Sequence, residues 1–364
     1  MTPPKKILLL SKYPRLGASS RLRSIQYLPY LEANGFEVTI KSLFDEKYLN
    51  DLYIDGRRSK ARTALLYAKR FFVLFKAIKY DLIWVEYEIF PYTPPFAEKI
   101  LRLFGKKYVV DYDDAIFHNY DLSNNPLIKK ILGRKIDGVM RSAHSVIAGN
   151  NYLSERAKLA GAENVMVIPT VVDHTRYQTK EKYNSTPLII GWVGSPSTQK
   201  YVVGIREALA KVCQAHGARL MLVGATPQIA AELPGIDVEA IPWTESSEAA
   251  LIHQMDIGIM PLLDGPWEKG KCGYKLIQYM ACAVPVIASP IGVNIDIVTT
   301  SRSGLLADTS LQWEDALLRL MSSPELRAEL GKAGRIAVEN NYSLQSQSPI
   351  LSELFTKIIK QSRD

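Results

Sequence analysis

Short apolar runs alternate with amphipathic stretches along all 364 residues. The first run, Lys6 to Ser11, reads as a strand. A loop, KYPRLGASS, follows, and Ser19 or Ser20 can cap the next helix. Leu22, Ile25, Leu28 and Leu31 keep one face of that helix, and Pro29 predicts a kink in it. Gly35 ends it, and FEVTI forms the next strand. Parallel sheets are built from such strand-loop-helix-strand units. Residues 81–87, 106–112 and 144–149 continue the series of strands.

The pattern changes near 170–187, where a polar, irregular segment reads as a linker. A second series then begins. Residues 188–194, 218–225, 236–241, 256–262 and 284–289 read as strands, with helices at 204–217 and 246–255. The chain ends in two or three helical segments. The predicted organisation is two α/β domains with parallel sheets, 1–175 and 186–340. A C-terminal helix within 341–364 is free to pack back on the first domain.

Composition adds limits. The length suits two domains, and 47% hydrophobic with 23% charged residues is that of a globular chain. Cys213, Cys272 and Cys282 have no CxxC spacing and form no disulfide framework, which fits a reducing compartment. No stretch is long and apolar enough for a transmembrane helix, and the opening apolar run is too short for a signal peptide. The cytoplasm is therefore expected, with peripheral contact at the inner face of the membrane left open. The net charge of +8 is uneven: residues 1–185 hold 30 Lys+Arg against 19 Asp+Glu, leaving 15 against 18 for the rest. An anionic partner of the first half, or an ordinary solvated basic surface, would each explain this. RRSKARTALLYAKRFFVLFKAIKY (57–80) mixes basic residues with Phe71, Phe72, Leu74 and Phe75, as an interfacial helix does, although such residues more often build core.

Open parallel sheets bind ligands beyond the carboxyl ends of their strands. The richest strand end is 261–298. There a glycine-containing loop with Gly265, Gly270 and Gly273 leads into a helix near Tyr274. Backbone N–H groups at a helix start form an anion site. Lys271, Cys272, Gly273, Tyr274 and Lys275 would line it, with Lys269 adding charge nearby. Gln278, one turn deeper than Tyr274, offers an amide for a ribose hydroxyl. These same lysines and Gln278 would also suit the exposed face of an ordinary amphipathic helix.

The block KGKCGYKLIQYMACAVPVIASPIGVN resembles the donor-binding signature of the bacterial group 1 glycosyltransferases, retaining enzymes of the GT-B fold. The family pattern has two glutamates, which Gly270 and Gln278 replace here. Gln can still bond ribose hydroxyls, whereas Gly270 cannot reach a donor sugar. IPTVVDHTRY (168–177) is similar to the family's linker. In LIIGWVGSPSTQKY (188–201), Gly194 and Lys200 match a glycine and a lysine of the family, and Ser195 replaces a phosphate-binding arginine. VEAIPWTESSEAALIHQMDIGIMPL (238–262), with Trp243, is similar to the base-recognition segment. The resemblance covers most of the chain. It implies two Rossmann-like domains whose sheets face a central cleft, a UDP- or GDP-sugar as co-substrate, no other cofactor, a glycan or lipid-linked acceptor, retention of configuration, and no nucleic acid partner.

The first domain then supplies the acceptor side. Asp111, Asp113 and Asp114 crowd one strand end, and Asp113 stands where many relatives carry a histidine. Like charges so close raise one another's pKa. A base or a charge beside a developing cation would justify them, and capping aspartates would be the plainer explanation. Asp113, Asp114 and Arg21 are the expected catalytic groups, with Ser19, Ser20, Glu86 and Tyr87 on the acceptor side. Glu88 is a further weak candidate, and His118 could stand in for the histidine. The DYD triplet also fits a metal-binding pattern of another transferase fold, but no essential metal is expected. Rival readings are a nucleotide-sugar epimerase or hydrolase and a non-catalytic nucleotide-sugar-binding scaffold. A dehydrogenase is disfavoured because no strand precedes G-x-G-x-x-G.

Overall fold

The structure is a computed structural model that describes residues 3–55 and 59–361. Arg57 and Arg58 of the basic segment lie outside the described residues. The chain divides into two units, Met1–Thr170 with Gln347–Asp364, and Val171–Ser346.

The first unit holds six parallel strands: β1 (Lys5–Leu10), β2 (Phe36–Ile40), β3 (Leu82–Glu86), β4 (Tyr108–Tyr112), β5 (Ser145–Ala148) and β6 (Val165–Val167). Their order is β2-β1-β3-β4-β5-β6. The chain steps out from β1 to β2, then returns past β1 to β3. The crevice between β1 and β3 is thus the topological switch point, where ligands of such sheets sit. β1, β3 and β4 are near-continuous apolar runs because helices cover both faces. Phe355, from the C-terminal helix, packs edge-on against Trp84 and Phe36 at 5.0 and 6.4 Å between ring centroids.

The second unit holds β7 (Ile189–Val193), β8 (Arg219–Val223), β9 (Asp237–Ile241), β10 (Ile257–Met260), β11 (Val286–Ala288) and β12 (Gly304–Leu306), ordered β12-β11-β10-β7-β8-β9. The chain leaves β7 in one direction and comes back to β10 on its other side, so the switch point lies between β7 and β10. These two pair only at Ile257 with Ile190 and Gly258 with Gly191. Past that point Tyr279 fills the gap. Its hydroxyl accepts from Val193 N at 2.9 Å and donates to Ile259 O at 3.2 Å. Gly258 makes room for that ring, since a Cβ there would lie 2.4 Å from it.

The structure departs from the sequence reading in three places. β6 and β12 were not foreseen: each is three residues long and partly exposed, too short to show a period. The single kinked helix is instead two, Ala18–Arg23 and Leu28–Ala33, joined by a 3-10 turn, with Pro29 in the first turn of the second. Gly17 rather than a serine occupies the N-cap, because Ser20 is committed elsewhere.

Candidate functional site

Two clusters of candidate side chains form, one at the switch point of each unit.

In the first unit, β1 ends into Ser11 and Lys12, and β3 ends at Glu86. Glu86 is 3% exposed. Its Oε2 accepts from Ser20 Oγ at 2.5 Å and from Lys12 N at 2.9 Å, while Oε1 is buried with no hydrogen-bond partner among the described residues. Burial pushes its pKa up to about 7, against the opposing pull of those two bonds. Ser20 Oγ also accepts from Tyr13 N at 3.1 Å, so this serine ties the β1 loop to β3.

Tyr87 follows with φ of +63°, a left-handed conformation that costs a non-glycine residue on the order of 1 kcal/mol or more. The surroundings hold it there. Tyr112 Oη donates to its carbonyl at 2.8 Å, and its own hydroxyl meets Asp113 Oδ1 in a short hydrogen bond and lies 3.0 Å from Ser19 Oγ. Lys12 Nζ sits 5.7 Å from the Tyr87 ring centroid. Ser19, Ser20, Glu86, Tyr87 and Asp113 are therefore one cluster. Lys12, which the sequence reading missed, belongs to it. Its only sequence signal is its place, just past β1 at the switch point.

Asp111 does not join the cluster as an available carboxylate. It is buried, with Arg23 Nε and Nη2 each 2.8 Å from its Oδ1, and burial pushes its pKa up to about 6 despite that pair. Arg23 also donates to Ile168 O at 2.9 Å, so the pair is a structural pin. Asp113 and Asp114 are half-buried in the turn after β4. Arg21 is buried rather than solvated, and reaches Arg15 O at 3.3 Å. Glu88 lies in a buried network with Lys135 and Tyr120. His118 has both ring nitrogens engaged, with Asp121 at 2.8 Å and Tyr152 Oη at 2.9 Å, which makes it a packing residue.

In the second unit, the ends of β7, β10 and β11 gather the donor-side candidates. The helix Tyr274–Ala281 starts at Gly273, whose φ is +64°. A Cβ at Gly273 would lie 2.4 Å from Ile297 Cδ1. No side chain caps this helix start, so its first-turn amides, the helix dipole and Lys271 and Lys275 make an electropositive edge. Gly292 packs its Cα side onto Lys269 O and draws the β11 loop against the same edge. The 264–273 loop is pinned from β7's side: Tyr201 Oη donates to Glu268 Oε1 at 2.5 Å. Lys269 pairs with Asp264 at 3.0 Å, which offsets the charge expected from it. Lys275 Nζ lies 5.9 Å from the Trp192 ring centroid. Lys200 is exposed, Gly194 N donates to Val223 O at 2.9 Å, and Ser195 caps a short turn with Thr198. Cys272 is buried.

Gln278 is only 1% exposed, and its amide donates to Tyr177 Oη at 3.4 Å. Tyr177 Oη in turn donates to Glu248 Oε1 at 3.0 Å, and Trp243 Nε1 donates to Glu248 Oε2 at 2.6 Å. Glu248 thus orders Trp243 and Tyr177 together and, through Tyr177, Gln278. The sequence reading missed Glu248 and Tyr177. Their pairing spans 71 residues and leaves no local pattern. Among the described residues no group of three or more His, Cys, Asp or Glu is gathered for a metal ion.

Residues 187–323 match the family model described as "Glycosyl transferases group 1". One curated relative is D-inositol 3-phosphate glycosyltransferase of Pseudarthrobacter chlorophenolicus, 27% identical over 113 residues, 30% of this chain and 26% of that protein. Another is N-acetyl-alpha-D-glucosaminyl L-malate synthase of Bacillus anthracis, 23% identical over 222 residues, 57% of this chain and 56% of that one. The alignments thus span about a quarter and about half of these relatives. Among solved structures, Anabaena HepE in complex with UDP superposes with a TM-score of 0.70 at 16% identity, over 97% of this chain and 100% of that one. The matched segment is similar to a group 1 glycosyltransferase domain, and the chain has the GT-B fold of two Rossmann-like domains.

Proposed function

We propose that the chain is a glycosyltransferase that moves a sugar from a nucleoside diphosphate to a glycan or lipid-linked acceptor, with retention of configuration. The observation that carries this reading is the uncapped helix start at Gly273, set with Lys271 and Lys275 at the β7–β10 switch point of a group 1 domain. That edge suits a diphosphate. Trp243, held by Glu248, would face the base. Gln278, steadied by Tyr177, would serve the ribose. The bound UDP of the HepE structure supports a uridine donor.

The first unit would receive the acceptor. Asp113, held by Tyr87, and Asp114 would orient the acceptor hydroxyl, and the leaving phosphate would take its proton from the same face of the sugar. Gly270 gives no carboxylate toward the sugar. Glu268, two residues earlier and positioned by Tyr201, is the nearest carboxylate of that loop in sequence.

Contact with an anionic membrane fits the same unit. Among the described residues no helix is long and apolar enough to cross a bilayer. The helix Lys60–Phe75 instead shows its aromatics to solvent: Phe72 is 67% and Phe75 63% exposed. Incubation with labelled UDP-sugars and extracts of aqueous and lipid glycans tests the proposal. Label transferred to an extract component supports it. Release of free sugar alone would favour a hydrolase, and bound but unconverted donor a scaffold.

A further inference from the structure

The first unit carries a second feature besides the strand-end cluster. A cavity of about 440 Å³ opens between the helices Phe96–Leu103, Pro126–Leu132 and Lys135–Ser142. Lys99, Arg134 and Arg141 line it, and none of the three has an ion-pair partner among the described residues. Lys135 also lines it, but its charge is offset by Glu88. Ile131 and Pro95 supply the apolar wall, and Gly138 leaves the floor open.

The surrounding surface has one character. The connections β2 to β3, β3 to β4 and β4 to β5 all run the same way across the sheet. Right-handed crossovers therefore put their helices on one face. On that face Phe72, Phe75, Ile78, Leu103, Phe104 and Leu127 are all more than half exposed. Lys106 Nζ donates to Ile78 O at 2.8 Å, so the turn after Phe75 adjoins the turn after Leu103. Residues 59–80 contain no carboxylate side chain, and Glu98 of the next helix is buried. Over 59–80, exposed aromatics and basic side chains without acids describe a surface suited to an anionic interface.

We infer that the Lys99–Arg134–Arg141 cavity binds the phosphate of a membrane lipid, with the lipid's apolar part lying along the exposed Leu and Phe side chains of the same face. Arginine forks match phosphate oxygens, and an apolar rim suits an amphiphile better than a free anion. This inference rests on the membrane reading of the first unit and is independent of sugar transfer.

Vesicle co-sedimentation of the full chain tests it, using phosphatidylcholine carrying either phosphatidic acid or oleate at matched surface potential. The wild type is expected to prefer phosphatidic acid. In K99Q/R134Q/R141Q that preference disappears, and affinity falls on the order of a hundredfold. R102Q/K129Q/K130Q, which removes three cations of the same face outside the cavity, keeps the preference. Melting followed by circular dichroism confirms that both variants fold, and the single variants R134Q and R141Q serve if the triple does not. Preference retained by the cavity variant, or lost equally in the control, overturns the cavity. Glycerol phosphate or inorganic phosphate binding as tightly as vesicles would make it a soluble-anion site instead. If the wild type binds no anionic vesicle, the membrane reading itself fails.

Discussion

Ser20 Oγ donates to Glu86 Oε2 at 2.5 Å, closing a contact between residues 66 apart at the β1–β3 switch point. The other carboxylate oxygen is buried with no hydrogen-bond partner among the described residues. A buried acid in this state favours its neutral form, and burial lifts Glu86 to about 7 and Asp111 to about 6. Both folded-state values stand above those of the unfolded chain. Their stabilising contribution is therefore complete below about pH 4, and it is lost as pH rises through 6 and 7. Glu86→Gln keeps an acceptor for Ser20 and Lys12 but cannot ionise. It should match the wild type below about pH 4 and exceed it at pH 8, by at most on the order of 3 kcal/mol. Urea denaturation across that range checks this. Equal pH slopes would show that Glu86 ionises without cost.

Tyr87 and Asp113 give a second prediction. The phenol reaches the carboxylate only because the backbone holds φ at +63°. Tyr87→Phe should keep stability within about 1 kcal/mol, because the lost hydrogen bond is partly exposed. It should lower kcat roughly tenfold or more, with donor KM little changed. Asp113→Asn and Asp114→Asn should each reduce turnover. If both keep near-normal rates, these carboxylates are structural.

Gly273 is testable through its left-handed backbone. Gly273→Ala brings a conformational cost of about 1–2 kcal/mol and a contact with Ile297. The melting temperature should drop by several degrees, and stabilisation by UDP should weaken more than the fold does. A variant with lower stability but an undiminished UDP response would move the phosphate site elsewhere.

Glu248 should act as a positioning residue. Glu248→Gln leaves one oxygen to serve two donors, Tyr177 and Trp243. Affinity for UDP should fall by about fivefold to tenfold. Affinity for inorganic pyrophosphate should stay unchanged, since the lysines and helix start are untouched. Calorimetric titration of both ligands reads the difference. A parallel loss of both affinities would mean that the variant disturbs the whole domain.

Ten of the twelve strands and the Gly273 helix start were legible because each sits in a local run of apolar residues or glycines in the sequence. What escaped the sequence lies in long-range pairing. Arg23 removes Asp111 from the acidic group across 88 residues, and Tyr177 reaches Gln278 across 101. No spacing rule reports such contacts. The apolar residues of 60–78 misled in the other direction, for an amphipathic pattern does not say whether core or another phase covers its apolar face.

The edge formed by Lys271, Gly273, Tyr274 and Lys275 is proposed to hold a nucleoside diphosphate. Thermal unfolding with UDP, GDP, ADP and NAD, for the wild type and Gln278→Ala, tests it most directly. A ligand at a hundred times its dissociation constant adds about 2.7 kcal/mol, a shift of several degrees. The account predicts that one nucleoside diphosphate, UDP foremost, raises the melting temperature of the wild type, and that Gln278→Ala loses most of the shift relative to its own ligand-free state. A response to NAD alone, or to none of the four, would contradict it.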